Sequence, residues 1–216
     1  MSARTTPTPE IRSRDAERSQ AAILLAAREE FASFGLAGAR VDRIAERAEV
    51  NKRLIYYYFG SKDDLFLAVL EQVYADIRNA EKQLRLLEME PAAAVRRLTE
   101  FTWEYYLAHP EFITLLNSAN LHLARHLEKS QRVQEMNSPL IQTLGDILEH
   151  GRREGVFRGG IDPVQLYISI AGIAYFYLSN NHTLSAIFGR DLMSHKARAE
   201  RLSHMCEVIL GYVLKD

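Results

Sequence analysis

The stretch Val50–Phe66, "VNKRLIYYYFGSKDDLF", sets Tyr56, Tyr57 and Tyr58 side by side directly after Lys52 and Arg53. In a helix each residue turns by about 100°, so three consecutive tyrosines cannot all face one core. On a helical wheel Lys52, Arg53, Tyr56 and Tyr57 share one side, while Leu54, Ile55, Tyr58 and Phe59 share the other. The spacing therefore predicts a short helix over 52–59, with Asn51 as its N-cap and Gly60 just past its end. Its outer face carries two cations and two phenols, and exposed aromatics of this kind call for a partner to cover them.

Working outward, Val41, Ile44, Ala45 and Ala48 mark a second short helix over 41–48, separated from the first by Glu49 to Asn51. Ile23, Ala27, Phe31 and Phe34 give a longer helix over 14–34, ended by Gly35 and Gly38. Downstream, Ser61 and Asp64 form the aspartate version of a capping box that opens a long helix to about Leu87. Further helices are expected from Pro91, after the His109–Pro110 pair, over 140–154, over 163–179 with Asp162 as cap, and over 194–214. Period-two alternation does not stand out, so the fold class is all-α with about nine helices. The expected organisation is a disordered basic arm over 1–13, a three-helix helix-turn-helix domain over 14–62 and a larger helical domain over 63–216.

Composition narrows the function. With 47% hydrophobic and 25% charged residues the chain falls in the ordinary globular range, and its net charge of −1 gives no global basic field. Residues 1–62 nevertheless hold 11 Lys and Arg against 8 Asp and Glu, so the basic surplus is local to the helix-turn-helix. The single cysteine, Cys206, cannot form an intramolecular disulfide and is read as a small buried hydrophobe. The N-terminus has no apolar signal core, and the apolar run 166–178 falls short of the roughly 20 residues a membrane helix needs. The expectation is a cytoplasmic protein with no membrane partner. No nucleotide-binding glycine loop or catalytic set is evident, which predicts a non-enzyme without a cofactor. His122 and His126, four apart, have the spacing of a metal-chelating pair but no clear third ligand nearby, so no metal is expected.

Lys52 and Arg53 can donate to guanine edges in the major groove, and the tyrosines can reach phosphates or thymine methyls. The same spacing also suits an amphipathic helix whose tyrosines seal against another part of the chain. The wider run "RIAERAEVNKRLIYYYFGSKDDLFLAVL" is more specific: it resembles the DNA-binding signature of the TetR family of transcriptional regulators. The match covers about residues 19–70, with Ile44, Ala45, Ala48, Val50, Tyr56, Tyr58, Phe59, Ser61, Lys62 and Leu65 in register. The resemblance implies base and groove contacts by Lys52, Arg53, Tyr56 and Tyr57, a phosphate contact by Lys62 and a mainly structural Tyr58.

The chain departs from the family pattern at three places. Glu49 stands where the turn usually has Gly, which in a left-handed turn costs about 1 kcal/mol. The second helix opens on "ARVD" rather than on Ser or Thr, leaving Asp42 to offset the missing cap and Arg40 to reach a phosphate in place of a hydroxyl. Arg53 occupies a position often held by Gly, so base preference cannot be borrowed from relatives.

For the larger domain, Trp103, Tyr106, His109, Phe112, Asn117, Asn120, Tyr175 and His182 place polar groups among aromatics, the mix of a small-molecule cavity. The helix over 163–179 is apolar nearly all round, and Leu202, Met205, Cys206, Ile209 and Val213 form a seam on the last helix. The resemblance implies that the last two long helices pair two subunits, with Ile168, Tyr175 and that seam as the candidate interface. It further implies a ligand-responsive homodimer, most often a repressor, released from an inverted-repeat double-stranded DNA operator when a small-molecule effector binds. Three alternatives remain open from sequence: an activator, an effector-independent DNA-binding protein, and an all-helical small-molecule-binding protein or enzyme without DNA binding.

Overall fold

The computed structural model describes the backbone of residues 9–215 and the side chains of 15–128 and 130–215. Of the expected arm over 1–13, residues 1–8 lie outside the described residues, and the backbone is already helical at Pro9. Among the described residues there are ten α-helices and no strand beyond one isolated bridge, Phe157 with Leu214. They are α1 (Pro9–Gly38), α2 (Val41–Arg47), α3 (Lys52–Phe59), α4 (Lys62–Lys82), α5 (Pro91–Ala108), α6 (Pro110–Leu121), α7 (Gln131–Arg153), α8 (Pro163–Ser179), α9 (Asn181–Phe188) and α10 (His195–Val213).

The helices up to α3 begin and end largely where local chemistry dictates. Gly35 breaks α1 with φ 63°, close to the end expected from the glycines, and the Leu36 amide beyond it donates to Ser118 Oγ at 3.0 Å. The turn after α2 closes through Val50 N–H to the Ala45 carbonyl at 3.0 Å and Glu49 N–H to Glu46 at 3.1 Å. Asn51 caps α3 by accepting from the Arg53 amide at 2.9 Å. The Ser61–Asp64 capping box is present: Ser61 Oγ donates to Asp64 Oδ2 at 2.6 Å and accepts from the Asp64 amide at 3.1 Å.

Later elements differ from the sequence reading. The chain leaves the α4 helix at Lys82, and Leu86–Glu88 form a single 3₁₀ turn entered through Arg85 at φ 52°. α7 starts at Gln131, nine residues before Leu140, and carries Pro139 inside it, where a proline would ordinarily mark a start. α9 is additional; none of its residues is buried, so it offered no apolar stripe to read.

The chain forms two compact units. The first runs to Gln72 and includes Thr114–Ser130, so the division falls inside α4 rather than before it. Its core is Ile23, Ala27, Phe31, Ile44, Ile55, Leu65, Phe66 and Val69, with the Phe31 and Phe66 rings edge-to-face at 5.0 Å. Thr114–Ser130 joins this unit because His126 packs edge-on to Phe66 at 5.4 Å and Ser130 Oγ donates to Glu71 at 2.7 Å. The second unit comprises Val73–Ile113 and the chain from Gln131 onward. Its core joins Val95 and Leu98 of α5, Leu144 and Ile147 of α7, Leu166 and Ile170 of α8, and Ile209 and Val213 of α10. No described helix is long and apolar enough to cross a membrane.

Candidate nucleic-acid interface and effector cavity

The α2–turn–α3 segment displays the residues singled out above. Lys52, Arg53, Tyr56 and Tyr57 are exposed, whereas Ile55 is buried and Leu54, Tyr58 and Phe59 are half-buried, the division the wheel predicts. Tyr57 is 81% exposed and Tyr56 44%, and the Tyr57 ring meets Tyr58 edge-on at 5.2 Å. The chain therefore leaves this pair of phenols largely uncovered. Lys52 Nζ is held 2.7 Å from Asp42 Oδ1, tying the start of α3 to the start of α2. That hydrogen bond raises the Lys52 pKa and lowers that of Asp42, so both stay charged. Lys62 Nζ donates to the Ala37 carbonyl at 3.4 Å, near the end of α1.

α2 has no side-chain cap, and the amide of its N-cap residue is satisfied from a distance. Arg40 is exposed and occupies the N-cap position without a side-chain cap, and its amide donates to Glu30 Oε1 at 2.9 Å. Glu30 lies on α1, is 1% exposed, and also receives Arg43 Nε at 2.7 Å. Burial pushes the Glu30 carboxyl up, but Arg43 and the Arg40 amide outweigh it and hold the carboxyl below its ordinary value. Sequence reasoning missed Glu30, which looks like one of many surface glutamates, although its neighbours Phe31 and Ala27 place it on the edge of the inward stripe. Glu49 adopts φ 53°, so the turn does use the left-handed conformation that Gly would suit.

In the second unit Trp103, Tyr106 and Phe112 are buried and aromatic-rich: Tyr106 stacks on Phe112 at 5.5 Å, and Trp103 meets Tyr177 at 5.6 Å. The other expected ligand residues do not join them. His109 is half-buried against Tyr105 and 3.2 Å from Glu111; Tyr175 is half-buried, and His182 is exposed on α9. Asn117 and Asn120 are exposed residues of the first unit. None of the eight lines a cavity of about 260 Å³ in the second unit, one of several there. Its wall is Arg78, Glu81, Lys82 and Arg85 with Leu86, Met136, Pro139 and Leu140. Arg78 and Glu81 escaped the sequence reading because an i,i+3 ion pair on a long helix looks like surface decoration. The available signal was position: Glu81 continues the buried stripe Leu70, Val73, Ile77 of α4.

The interface expected on α10 requires correction. Met205, Cys206, Ile209 and Val213 are at most 2% exposed and pack into the chain's own core, while Leu202 and Tyr175 are half-buried. A helix seam chosen for apolarity alone finds the intramolecular face first. On α8 and α10 the large apolar residues that remain exposed are Val164, Ile168, Phe176, Val208 and Tyr212. Ile168, at 54%, is the one expected interface residue on that outer face. His122 and His126 are engaged separately, His122 Nδ1 with the Ser118 carbonyl and His126 Nε2 with Asp63 at 2.8 Å. Among the described residues no group of three or more His, Cys, Asp or Glu could hold a metal ion.

Comparison with known proteins bears on both units. The model of bacterial regulatory proteins of the tetR family matches residues 23–69, and that of the tetracyclin repressor-like C-terminal domain matches residues 91–209. The chain is 41% identical over 200 residues to the HTH-type transcriptional repressor NicS of Pseudomonas putida, covering 93% of this chain and 94% of that one. It is 41% identical over 103 residues to the HTH-type transcriptional repressor SCO4008 of Streptomyces coelicolor, covering 48% of this chain and 50% of that protein. The crystal structure of SCO4942 from Streptomyces coelicolor superposes with a TM-score of 0.68 at 25% identity, over 90% of this chain and 98% of that one. FadR from Bacillus subtilis, solved in complex with stearoyl-CoA, shares the fold at a TM-score of 0.65 and 16% identity, over 89% of this chain and 98% of that one.

Proposed function

Because this chain belongs to the TetR family of bacterial regulatory proteins, we propose that it is a homodimeric, ligand-responsive repressor that binds an inverted-repeat operator through α3 and leaves it when a small molecule occupies the second unit. The observation that carries the reading is the uncovered face of α3. Two cations and two phenols project from a helix whose start is fixed by the Asn51 cap and the Lys52–Asp42 pair, so the face is presented in one orientation. In the major groove Lys52 would exchange Asp42 for a base edge, Arg53 would reach another, and Tyr56 and Tyr57 would lie against phosphates and sugars. Lys62 and Arg40 flank them as phosphate ligands.

Dimerisation supplies the second half-site. Ile168 and Phe176 of α8 with Val208 and Tyr212 of α10 form the apolar surface that a second copy would bury. α4 starts with Lys62 and carries Arg78 and Glu81 in its last turns, so one helix includes both a proposed phosphate contact and the cavity wall. Ligand-dependent displacement of this helix would change the spacing of the two α3 helices, and a coupling of about 1–3 kcal/mol is enough for a useful switch. The relatives' names support repression as the sign of regulation, and the exposed cationic face of α3 favours this account over a helical enzyme. Selection of bound sequences from random duplex DNA tests it. A two-fold symmetric site is expected, and failure of folded dimer to enrich any sequence contradicts the proposal.

A further inference from the structure

One side of the second unit's cavity of about 260 Å³ is lined by a buried ion pair whose hydrogen bonds are largely unmade. Arg78 and Glu81 each have side chains only 3% exposed, yet the hydrogen bonds they make are few. Arg78 Nη2 donates to the Tyr167 hydroxyl at 2.7 Å. Arg78 Nη1 lies 3.0 Å from Glu81 Oε2, but Nε and Nη1 donate no hydrogen bond and neither Glu81 oxygen accepts one. Buried charged atoms left in this condition are expensive, and in a cavity wall they mark the place a ligand would complete.

The charges around the cavity select the ligand's sign. Arg85 pairs with Glu88, and Arg78 with Glu81, leaving Lys82 at the exposed rim with no ion pair among the described residues. Facing the Arg78–Glu81 pair are Tyr74 of α4, Tyr106 of α5 and Tyr167 of α8, phenols that burial keeps protonated. α7 contributes Met136, Pro139, Leu140 and Thr143, none of them charged. An arginine keeps its proton, whereas burial, opposed by Arg78, pushes the Glu81 carboxyl up to about 7. The charge change open to this site near neutrality is therefore loss of the Glu81 negative charge, after which Arg78 and Lys82 face the cavity without a counter-ion.

We propose, on the reading of a ligand-responsive regulator just given, that the effector is a small organic acid whose carboxylate is received by Arg78 and Lys82 while Glu81 takes a proton from water. Leu86, Met136, Pro139 and Leu140 receive its apolar body. The cavity of about 260 Å³ lies below the usual range of about 300–1,000 Å³, which favours a compact body over a long chain.

The test uses the full-length protein and carboxylates from butyrate to octanoate together with cyclohexanecarboxylate, each beside its amide and its amine. Binding is measured by calorimetry from pH 6 to pH 8.5. At least one carboxylate should bind at least tenfold more tightly than its amide or amine, and its affinity should fall toward tenfold per pH unit above about pH 7. Glu81→Gln should keep the binding and lose the pH dependence. Arg78→Met should lose the binding, and Lys82→Met, at an exposed position that need not affect folding, should weaken it severalfold. Amides or amines binding as well as the acids, no acid binding at all, or an unchanged pH profile in Glu81→Gln would each overturn the proposal. Enrichment of a DNA site without acid binding removes this inference alone. Acid binding with the stated pH profile but no DNA site leaves the acid site standing, no longer as an effector site, and removes the proposed function.

Discussion

At residue 49 the chain holds a glutamate at φ 53°, a conformation that L side chains adopt only with strain of about 1 kcal/mol. Glu49→Gly should therefore raise stability by about 0.5–1 kcal/mol, or about 1–4 °C in Tm for a chain of this size, and a lower Tm would contradict that strain. Glu30 makes an opposite, pH-dependent contribution. Its carboxyl is held below the ordinary 4.5 in the folded protein, so its stabilisation is present above that value and is lost as pH falls through the lowered one. Urea denaturation between pH 3 and pH 6 should show a flatter acid limb for Glu30→Gln than for the natural chain, together with a destabilisation of about 1–3 kcal/mol at pH 6. Glu81 has the reverse sign: its raised pKa gives stability that is full below the unfolded value and lost as pH rises through about 7. The α3 face was legible at this scale because a wheel resolves it from eight residues. Glu30 and Glu81 were not, because burial of a glutamate depends on which distant helix covers it.

At the scale of elements, helix starts with local caps could be read directly, since Asn51, Ser61, Asp64 and Asp162 act within three residues of themselves. Elements defined by tertiary packing were less legible. α7 runs through Pro139, which hid its first nine residues although 140–154 reads as helix, and α9 has no buried face to announce it. The seam of α10 was visible, but apolarity does not say whether a face meets its own core or a partner. The structure gives it to the core, and Gly151 of α7 shows how tight that core is: a Cβ there would fall on the Phe157 ring. Gly151→Ala should destabilise by about 1–3 kcal/mol in urea denaturation, and a neutral result would mean that Phe157 has room to move. On the outer face, Phe176→Arg should convert the proposed dimer to a monomer in analytical ultracentrifugation, whereas Cys206→Ser should leave the association unchanged. Retained dimer in Phe176→Arg would remove the outer face of α8 from the interface.

For the whole molecule, the two units divide the labour that the proposed function requires. The first presents a basic and aromatic face, and the second carries a cavity lined by a buried ion pair with unmade hydrogen bonds, together with exposed apolar residues on α8 and α10. The α3 face is proposed to read base sequence rather than to pack against protein. The most direct measurement is the affinity of the natural chain and of Lys52→Ala/Arg53→Ala for the selected duplex and for a scrambled duplex, across a salt series. The double variant, still folded and still dimeric, should lose most of its discrimination between the two duplexes and show a shallower salt dependence. Undiminished discrimination in that variant would contradict base reading by this face.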